Sequence, residues 1–299
     1  MISVVIPVYR DAVRAGSLVQ SLRAQDLPLG QALEIIVVDD GSGDGSEDVL
    51  QQCANEQVRV VTLARNMGRS AARNAGAELA RGEFLAFIDC DCQPTDASFL
   101  AAHLTQLGKD CIATCGPVTG DGNGFWSRYQ REASDRRARQ HAQGQQFSGS
   151  SQNFAVRGDA FFHVGGFDIR YKTYGFEDRD LFARLAKLGT IGWCNEAVVK
   201  HLDQLSLADV LAKMRLAAGE SAKLFAHSHA GSYRQLGYAA LDVRLHPWLR
   251  PMANIFRLLL RPARHLDFIV VRSAFPYVVR RAGVKVLCAL AYLVGSSEA

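Results

Sequence analysis

The sequence predicts an α/β protein with a doubly wound, mostly parallel central sheet, helices on both faces and a helical extension at the C-terminal end. Three observations predict this class. Short β-branched runs alternate with segments of helical periodicity over the first two thirds of the chain. Several of these runs end in polar or acidic residues, as expected where parallel strands open into a site. After about residue 204 the alternation ends, and helical pieces broken by prolines follow.

The alternation of strand and helix begins at the first residues. Strands are predicted for the runs at 2–9, 34–40, 58–63 and from Phe84 onward. Helices are predicted at 11–25, from Ser46, at 70–80, after Thr95 and at 181–188. Because strands and helices alternate, the strands should lie parallel with helices on both faces of the sheet. We therefore expect a sheet domain at 1–204 and a basic, amphipathic helical extension at 205–299.

The loop after the second strand is rich in glycine but does not predict a dinucleotide site. Gly41, Gly43 and Gly45 have the spacing G-x-G-x-G, whereas a dinucleotide fingerprint requires G-x-G-x-x-G. The acidic pair Asp39 and Asp40 lies at the strand tip, before the glycines, and not about 20 residues beyond them. A nicotinamide or flavin oxidoreductase is therefore disfavoured.

The run from Phe84 ends in two carboxylates separated by one residue, Asp89 and Asp91. If the backbone stays extended, both carboxylates point to one side, and Cys90 and Cys92 point to the other. Carboxylate oxygens so placed suit Mg²⁺ or Mn²⁺, which commonly bridge proteins to substrate phosphates. From this motif alone, the other interpretation is a strand that simply ends in polar turn residues, which is common for a lone Asp-x-Asp.

Three further groups carry charge. Arg69 and Arg73 are one helical turn apart and either serve a polyphosphate or face water. Glu177, Asp178 and Asp180 crowd the first turn of a helix, where acids are stabilised by the helix dipole whether or not they do chemistry. His201 follows a short strand-like run and is either a packed residue or a ligand.

The composition is that of an ordinary globular protein, with 48% hydrophobic and 21% charged residues and a net charge of +4. The segment 241–285 is distinctly basic, with nine Lys and Arg residues against two Asp residues, or +7. Such an excess favours anionic lipid headgroups, an acidic glycan or a phosphorylated acceptor, with a solvated basic face as the alternative. No nucleic-acid partner is expected.

Seven cysteines without a repeated C-x-x-C spacing disfavour a zinc site or a disulfide framework and indicate a reducing compartment. Because a core strand is predicted from residue 2, no signal peptide is expected. No apolar run reaches the roughly 20 residues that spanning a bilayer requires. We expect a cytoplasmic protein, either soluble or attached to the inner face of the membrane.

Taken together, these motifs resemble the family 2 glycosyltransferases of GT-A fold, over about the first 203 residues. The residues that carry the resemblance are Ser3 to Tyr9, Glu34 to Ser42, Asn66 to Gly76, Asp89-Cys-Asp91, Gly165 to Asp168 and Gly175 to Asp178. The resemblance implies a GT-A sheet and an inverting, metal-dependent transferase. Its donor would be a nucleoside-diphosphate sugar, with a UDP-linked sugar expected, and its acceptor a glycan or a lipid-linked acceptor of cell-surface polysaccharide synthesis.

The resemblance also implies roles for individual residues. Pro7, Val8 and Tyr9 would line the nucleobase pocket, with Asp40, or less favourably Asp39, bonding the base. Arg73 would approach the diphosphate, and Asp89 would face the ribose and the metal. Asp91 and His201 would ligate Mn²⁺ or Mg²⁺, and Asp178 would act as the catalytic base beside Glu177. The chain departs from the family pattern at Cys92, where a third acid is frequent, and at Tyr174 to Phe176, which leaves the acceptor open.

Two other functions remain as alternatives. A non-catalytic sugar-nucleotide-binding protein of the same fold would keep the architecture without turnover. A sugar-nucleotide pyrophosphorylase shares the broad architecture, but it should carry a glycine-rich basic loop after the first strand, where this chain has Pro7 to Asp11.

Overall fold

A computed structural model of the protein describes residues 1–108, 110–145, 149–260, 267–268, 270–271 and 274–299. Its internal contacts define two compact units. The first comprises Met1–Asp121, Gln130–Ile169 and Asp178–Asp203, and the second comprises Gly122–Tyr129, Arg170–Glu177 and Gln204–Ala299. The division of the chain into domains at 1–204 and 205–299 stays a prediction.

The strands of the first unit are β1 (Ile2–Val8), β2 (Leu33–Asp39), β3 (Val58–Thr62), β4 (Phe84–Ile88), β5 (Cys92–Pro94), β6 (Cys111–Cys115), β7 (Val118–Gly120), β8 (Asn153–Arg157), β9 (Thr190–Trp193) and β10 (Val199–His201). The helices up to residue 203 are α1 (Ala12–Arg23), α2 (Ser46–Gln51), α3 (Arg69–Leu79), α4 (Phe99–Leu107), α5 (Phe125–Ala142), α6 (Gly158–His163) and α7 (Glu177–Leu185). The predicted strand–helix alternation is confirmed through β4.

The central sheet has the order β3-β2-β1-β4-β8-β6-β9. β1 pairs in parallel with β2 and β4, whereas β8 runs antiparallel to β4 and β6. The register joins Val8 to Asp39 and Ile88 to Asn153, so the carboxyl ends of β1, β2 and β4 and the start of β8 lie at one edge. This sheet confirms the predicted mostly parallel α/β class, and the antiparallel β8 is an element that the sequence pattern did not predict.

Helices cover both faces of the sheet, as predicted. On one face, apolar residues of α1 and α4 pack on the sheet, among them Leu18 and Leu104. On the other face, residues of α3, α6 and α7 do so, among them Ala72, Phe161 and Phe182. Burial of such side chains away from water is the main favourable contribution to folding.

A second, three-stranded sheet has the order β5-β10-β7. β10 corresponds to the strand-like run predicted at 197–201, and it pairs antiparallel with β5 so that His201 lies opposite Cys92. The backbone N–H of Leu202 also donates to the carbonyl of Asp91 at 2.8 Å. This sheet therefore fixes the end of β10 against the turn that follows β4.

The second unit is helical, which confirms the predicted C-terminal helical extension. Its helices are α8 (Leu207–Leu216), α9 (Ala222–Ser228), α10 (Ala230–Gln235), α11 (Arg250–Leu259) and α12 (Tyr277–Ser296), with α8 and α9 joined through a kink at Gly219. In the core of the unit, the hydroxyl of Tyr233 donates to Asp242 at 2.6 Å and lies 2.6 Å from the hydroxyl of Tyr292. None of the described helices is long and apolar enough to cross a bilayer.

A buried histidine connects α4 to the central sheet. His103 Nε2 lies 2.9 Å from Asn153 Oδ1, and its Nδ1 lies 2.7 Å from the Thr114 hydroxyl. The Asn153 amide nitrogen already donates to the carbonyls of Pro117 and Ala197, so its oxygen must accept from Nε2 and Nδ1 must accept from Thr114. Burial lowers the pKa of His103 to about 4, although the bond to Asn153 opposes this shift.

We predict that His103 makes the protein less stable in mild acid. Because its pKa is lowered, the unfolded chain binds a proton between about pH 6.5 and pH 4 that the folded chain does not bind. The free energy of unfolding should therefore fall with decreasing pH in this window, by up to about 1.4 kcal/mol per pH unit from this residue.

Urea unfolding at pH 4.5, 5.5, 6.5 and 7.5 measures the effect. His103→Gln should be less stable at neutral pH and should show a flatter dependence on pH than the wild type. Identical slopes for the two proteins would contradict the assignment of the effect to His103.

Candidate active site

The tip of β4 contains a buried ion pair. Arg73, on α3, is 1% exposed, and its Nη2 donates to Asp89 Oδ1 at 2.6 Å. The guanidinium also lies over the ring of Phe167, 5.1 Å from its centroid. Burial raises the pKa of Asp89, but the charges of Arg73 and Arg69 outweigh this effect and hold that pKa below its ordinary value. Asp89 is therefore an ionised carboxylate held in a fixed direction.

Arg73 also has N–H donors besides the one that bonds Asp89. Its Nε and Nη1 are buried and have no hydrogen-bond acceptor among the described residues. The same holds for the hydroxyl of Ser70, which lies one turn earlier on the same helix. Buried donors normally find an acceptor, so an anion is the natural partner for this group.

Asp91 lies two residues beyond Asp89 and faces two other potential ligands. Asp91, His201 and Asp203 each offer one ligand atom, and these atoms all lie within 4.8 Å of one another. His201 is buried, and its Nε2 lies 3.4 Å from Asp91 Oδ2. The pairing of β10 with β5 produces this arrangement, because it places His201 opposite Cys92, next to Asp91.

Arg14 places a positive charge next to this group of potential ligands. Its Nη1 lies 2.5 Å from Asp203 Oδ1 and 3.3 Å from Asp11 Oδ2. The hydrogen bond to Asp203 is the main cause of a raised pKa of Arg14, which burial opposes. Asp203 is thus already held in place by a cation from α1.

The tips of β1 and β2 carry the predicted nucleobase residues. Asp40 is buried, and its two oxygens accept hydrogen bonds from the backbone amides of Met67 and Gly68 at 2.7 and 2.9 Å. Burial raises the pKa of Asp40, although these two amides oppose the shift. Pro7 and Val8 are buried in β1, whereas Tyr9 is 44% exposed. Of the three predicted pocket residues, Tyr9 is the one that a ligand can reach most easily.

Asp39 has a different environment from Asp40. Its Oδ1 accepts hydrogen bonds from both the backbone amide and the hydroxyl of Ser42. The amide of Arg10 in turn donates to the Ser42 hydroxyl at 2.8 Å. Through Ser42, Asp39 therefore connects the loop after β2 to the loop after β1.

The three acids at the start of α7 have separate environments. Asp178 is half-buried and accepts a hydrogen bond from the Ser151 hydroxyl at 2.5 Å. Asp180 is buried and bonds Arg184, which donates to the carbonyls of Val164 and Gly166. Asp180 therefore fixes the Gly165–Gly166 turn to α7. Glu177 is buried at the first position of α7 and belongs to the second unit.

The predicted site residues therefore fall into local groups. Asp89 is paired with Arg73, and Asp91 is brought to His201 by the small sheet. Asp178 lies beside Ser151, which precedes β8 by two residues. Since Asn153 pairs with Ile88, Ser151 and Asp178 belong to the same edge of the sheet as Asp89.

Sequence reasoning missed two residues of this edge. Asp203 follows His201 by two positions in an irregular stretch and has no motif around it. Ser151 lies in an unpatterned segment and was not singled out. Asp203 follows His201 by two positions, which is the same spacing as that between Asp89 and Asp91. This spacing is the available signal for Asp203, whereas nothing in the sequence marks Ser151.

Solved structures of glycosyltransferases share this architecture. The mannosyltransferase PcManGT from Pyrobaculum calidifontis, in complex with GDP-Man and Mn²⁺, has a TM-score of 0.57 over 95% of this chain and 86% of its own, at 17% identity. S. aureus TarS 1-349 has a TM-score of 0.54 over 99% of this chain and 90% of its own, at 19% identity. At these identities the likeness shows the fold, which is that of the GT-A glycosyltransferases.

The sequence model of glycosyl transferase family 2 matches residues 3–167, which is more than half of the chain. The chain therefore belongs to glycosyl transferase family 2, as predicted, and is a glycosyltransferase. This membership argues against the pyrophosphorylase and oxidoreductase alternatives. Asp178, His201 and Asp203 lie beyond the matched residues.

Curated relatives match a shorter stretch. An undecaprenyl-phosphate 4-deoxy-4-formamido-L-arabinose transferase of Pseudomonas aeruginosa (strain LESB58) is 43% identical over 119 residues, or 38% of this chain and 35% of the relative. A protein of the same name from Yersinia pestis is 34% identical over 117 residues, or 38% of this chain and 36% of the relative. The matched stretch thus spans about a third of these relatives.

Proposed function

We propose that this glycosyltransferase uses a divalent cation to transfer a sugar from a nucleoside-diphosphate sugar to an acceptor hydroxyl, with inversion at the anomeric carbon. The observation that carries the proposal is the group Asp91, His201 and Asp203, near the Arg73–Asp89 pair at the carboxyl edge of the sheet. The neighbours crystallised with GDP-Man and Mn²⁺ and with UDP-GlcNAc support a nucleotide-sugar donor. We keep a UDP-linked sugar as the expected donor.

The donor set suits Mn²⁺ or Mg²⁺. Two carboxylates and one imidazole supply oxygen and nitrogen ligands within 4.8 Å of one another, which is the spacing of ligands around a single ion. Asp89, two residues before Asp91 in the sequence, is a further carboxylate. Such an ion, when bound, would neutralise charge on the departing nucleoside diphosphate.

The other residues of the edge would bind and orient the donor. The unused N–H groups of Arg73 supply positive charge and hydrogen-bond donors near Asp89. Tyr9 offers an exposed ring at the tip of β1, against which a nucleobase can stack. Asp40 uses one lone pair on each oxygen for the backbone amides, so a base N–H could still donate to it.

Asp178 is proposed as the catalytic base. Its carboxylate is half-buried, so an acceptor can reach it. It would take the proton of the acceptor hydroxyl as the hydroxyl oxygen attacks the anomeric carbon and the bond to the diphosphate breaks. A single displacement of this kind inverts the anomeric configuration. Glu177, the preceding residue, was predicted beside the base, and we propose no separate step for it.

A lipid phosphate is the second candidate acceptor. The relatives' names specify undecaprenyl phosphate, although the matched part spans about a third of their length. A phosphate oxygen is already ionised at neutral pH and needs no base. The two acceptors therefore differ in what they require of Asp178.

The C-terminal region presents an exposed apolar face. On α11 and the turn before it, Trp248, Met252, Ile255 and Leu259 are exposed at successive spacings of four, three and four residues. Such spacing places them on one side of a helix. On the opposite side, Ala253 is buried with Leu293. An amphipathic helix of this kind lies in the interface of a membrane, with its apolar side among the lipid chains.

Some of the basic side chains near this face are already paired. Arg244 is paired with Asp242, and Arg257 is paired with Glu298. Arg250 is exposed at the start of α11. The predicted basic residues Arg261, Arg264 and Arg272 lie outside the described residues. We propose peripheral membrane contact through α11, driven mainly by apolar burial and assisted by basic side chains.

We predict that Asp203 takes part in metal binding. Asp203→Asn should weaken the binding of Mn²⁺ at least tenfold, and Asp91→Asn should weaken it further, because each change removes an anionic ligand. Titration of Mn²⁺, followed by the electron paramagnetic resonance signal of the free ion, measures this without any substrate.

Asp96→Asn is the matched control, since Asp96 is exposed and its carboxylate bonds only Ser98 among the described residues. Equal Mn²⁺ affinities for Asp203→Asn and Asp96→Asn would remove Asp203 from the ligand set.

We predict that Asp178→Asn reduces transfer to a hydroxyl acceptor by about 10²–10⁴-fold while donor affinity stays within about twofold, because the amide cannot accept the proton. Single-turnover transfer and a donor titration separate the two effects. Asp159→Asn, another acid in a first helical turn, is the control and should retain transfer.

Near-normal transfer by Asp178→Asn with a hydroxyl acceptor would exclude Asp178 as the base. If Asp178→Asn loses transfer to a hydroxyl acceptor but retains transfer to a polyisoprenyl phosphate, the lipid-phosphate acceptor is favoured instead.

We predict that the α11 face binds vesicles. The wild-type protein should sediment with vesicles that contain 30% phosphatidylglycerol. Ile255→Asp/Leu259→Asp should lower this partitioning about tenfold or more, because a charged side chain in place of an apolar one is costly in lipid. Val13→Asp, at an exposed valine of α1, is the control. Unchanged sedimentation of the double variant would refute contact through this face.

A further inference from the structure

The carboxylate of Asp178 is held by a side chain from a different part of the fold. The Ser151 hydroxyl donates to Asp178 Oδ1 at 2.5 Å, and Ser151 itself is 1% exposed. No hydrogen bond is made by the second oxygen, Oδ2, within the described residues. One oxygen is therefore fixed, and the other is left for a ligand.

The turn that contains Ser151 is closely packed. A Cβ at Gly149 would lie 2.3 Å from the Cys115 sulfur and 2.6 Å from the Phe182 ring, so glycine is required at this position. At the other end of the turn, Asn153 is buried and bonds His103 together with the carbonyls of Pro117 and Ala197. Anchored at both ends, the turn presents the Ser151 hydroxyl in one position.

On the basis of the proposed role of Asp178 as base, we infer that Ser151 is a positioning residue for the transfer reaction. Its hydroxyl fixes the rotamer of Asp178 and directs Oδ2 to the acceptor. Ser151 thus sets the direction of the base.

Other charged groups surround this pair. Glu177, Arg179 and Asp180 are its neighbours on α7, and Asp180 is neutralised by Arg184. From β6, the Cys115 thiol faces the pair; burial raises its pKa to about 12, with a smaller contribution from the charge of Asp178. That thiol is therefore neutral at physiological pH, and the Ser151 hydroxyl is the contact whose removal can be isolated.

The test compares Ser151→Ala with Ser150→Ala. Among the described residues, the Ser150 side chain bonds only Gln152 within the same turn, so its removal deletes a neighbouring hydroxyl without touching Asp178. The measurements are kcat, donor KM and the thermal unfolding midpoint. For Ser151→Ala, kcat should fall about tenfold, because hydrogen bonds to charged groups are among the stronger ones.

The donor KM of Ser151→Ala and its thermal unfolding midpoint should stay close to the wild-type values, because Ser151 acts on the base and not on the donor. Ser150→Ala should keep the wild-type kcat, and Ser151→Thr, which retains the hydroxyl, should restore most of the lost kcat. A purely structural role would lower kcat together with the unfolding midpoint or with donor affinity.

Two results would overturn the inference: an unchanged kcat in Ser151→Ala, or the same loss of kcat in Ser150→Ala. Asp178→Asn distinguishes this failure from failure of the proposed function. If Asp178→Asn is inactive while Ser151→Ala keeps the wild-type kcat, only the role of Ser151 is lost. If Asp178→Asn is active, Asp178 is not the catalytic base, and the proposed function of Asp178 fails.

Discussion

The site depends on the buried ion pair between Arg73 and Asp89. A fully buried arginine requires an anion beside it, and removing one partner of such a pair typically costs about 3–5 kcal/mol. Arg73 comes from α3 and Asp89 from the tip of β4, so the pair ties a helix to the strand end. The carboxylate of Asp89 is consequently ionised and fixed in direction before any ligand arrives.

The chain leaves the central sheet next to this pair. It turns after Asp89, and β5 begins at Cys92 in the second sheet. The condition of an extended backbone from Asp89 to Cys92 is therefore not met, because β4 ends at Ile88 and a turn follows. Cys90 and Cys92 nevertheless pack into the core below α1 and α4, as fillers.

The parts of the fold that the sequence predicts are those with strong local patterns. β1 to β4 and the helices between them are marked by β-branched runs and helical spacing, and the family motifs lie at their ends. β6, β8 and β9 were not predicted, because their pairing depends on contacts distant in sequence. Asp203 and Ser151 are single residues without a periodic context, so their place at the site follows only from sheet register and from a packed turn.

Residues 88–92 position both the proposed catalytic base and the proposed metal ligands. At its start, Ile88 pairs with Asn153, which anchors the turn that presents Ser151 to Asp178. At its end, Cys92 pairs with His201, which brings the imidazole and Asp203 to Asp91. Asp178, His201 and Asp203 lie outside the stretch matched by the family, yet each is held through a strand that pairs within residues 88–92. The proposed base and the proposed metal ligands are therefore both positioned by pairing within one five-residue segment.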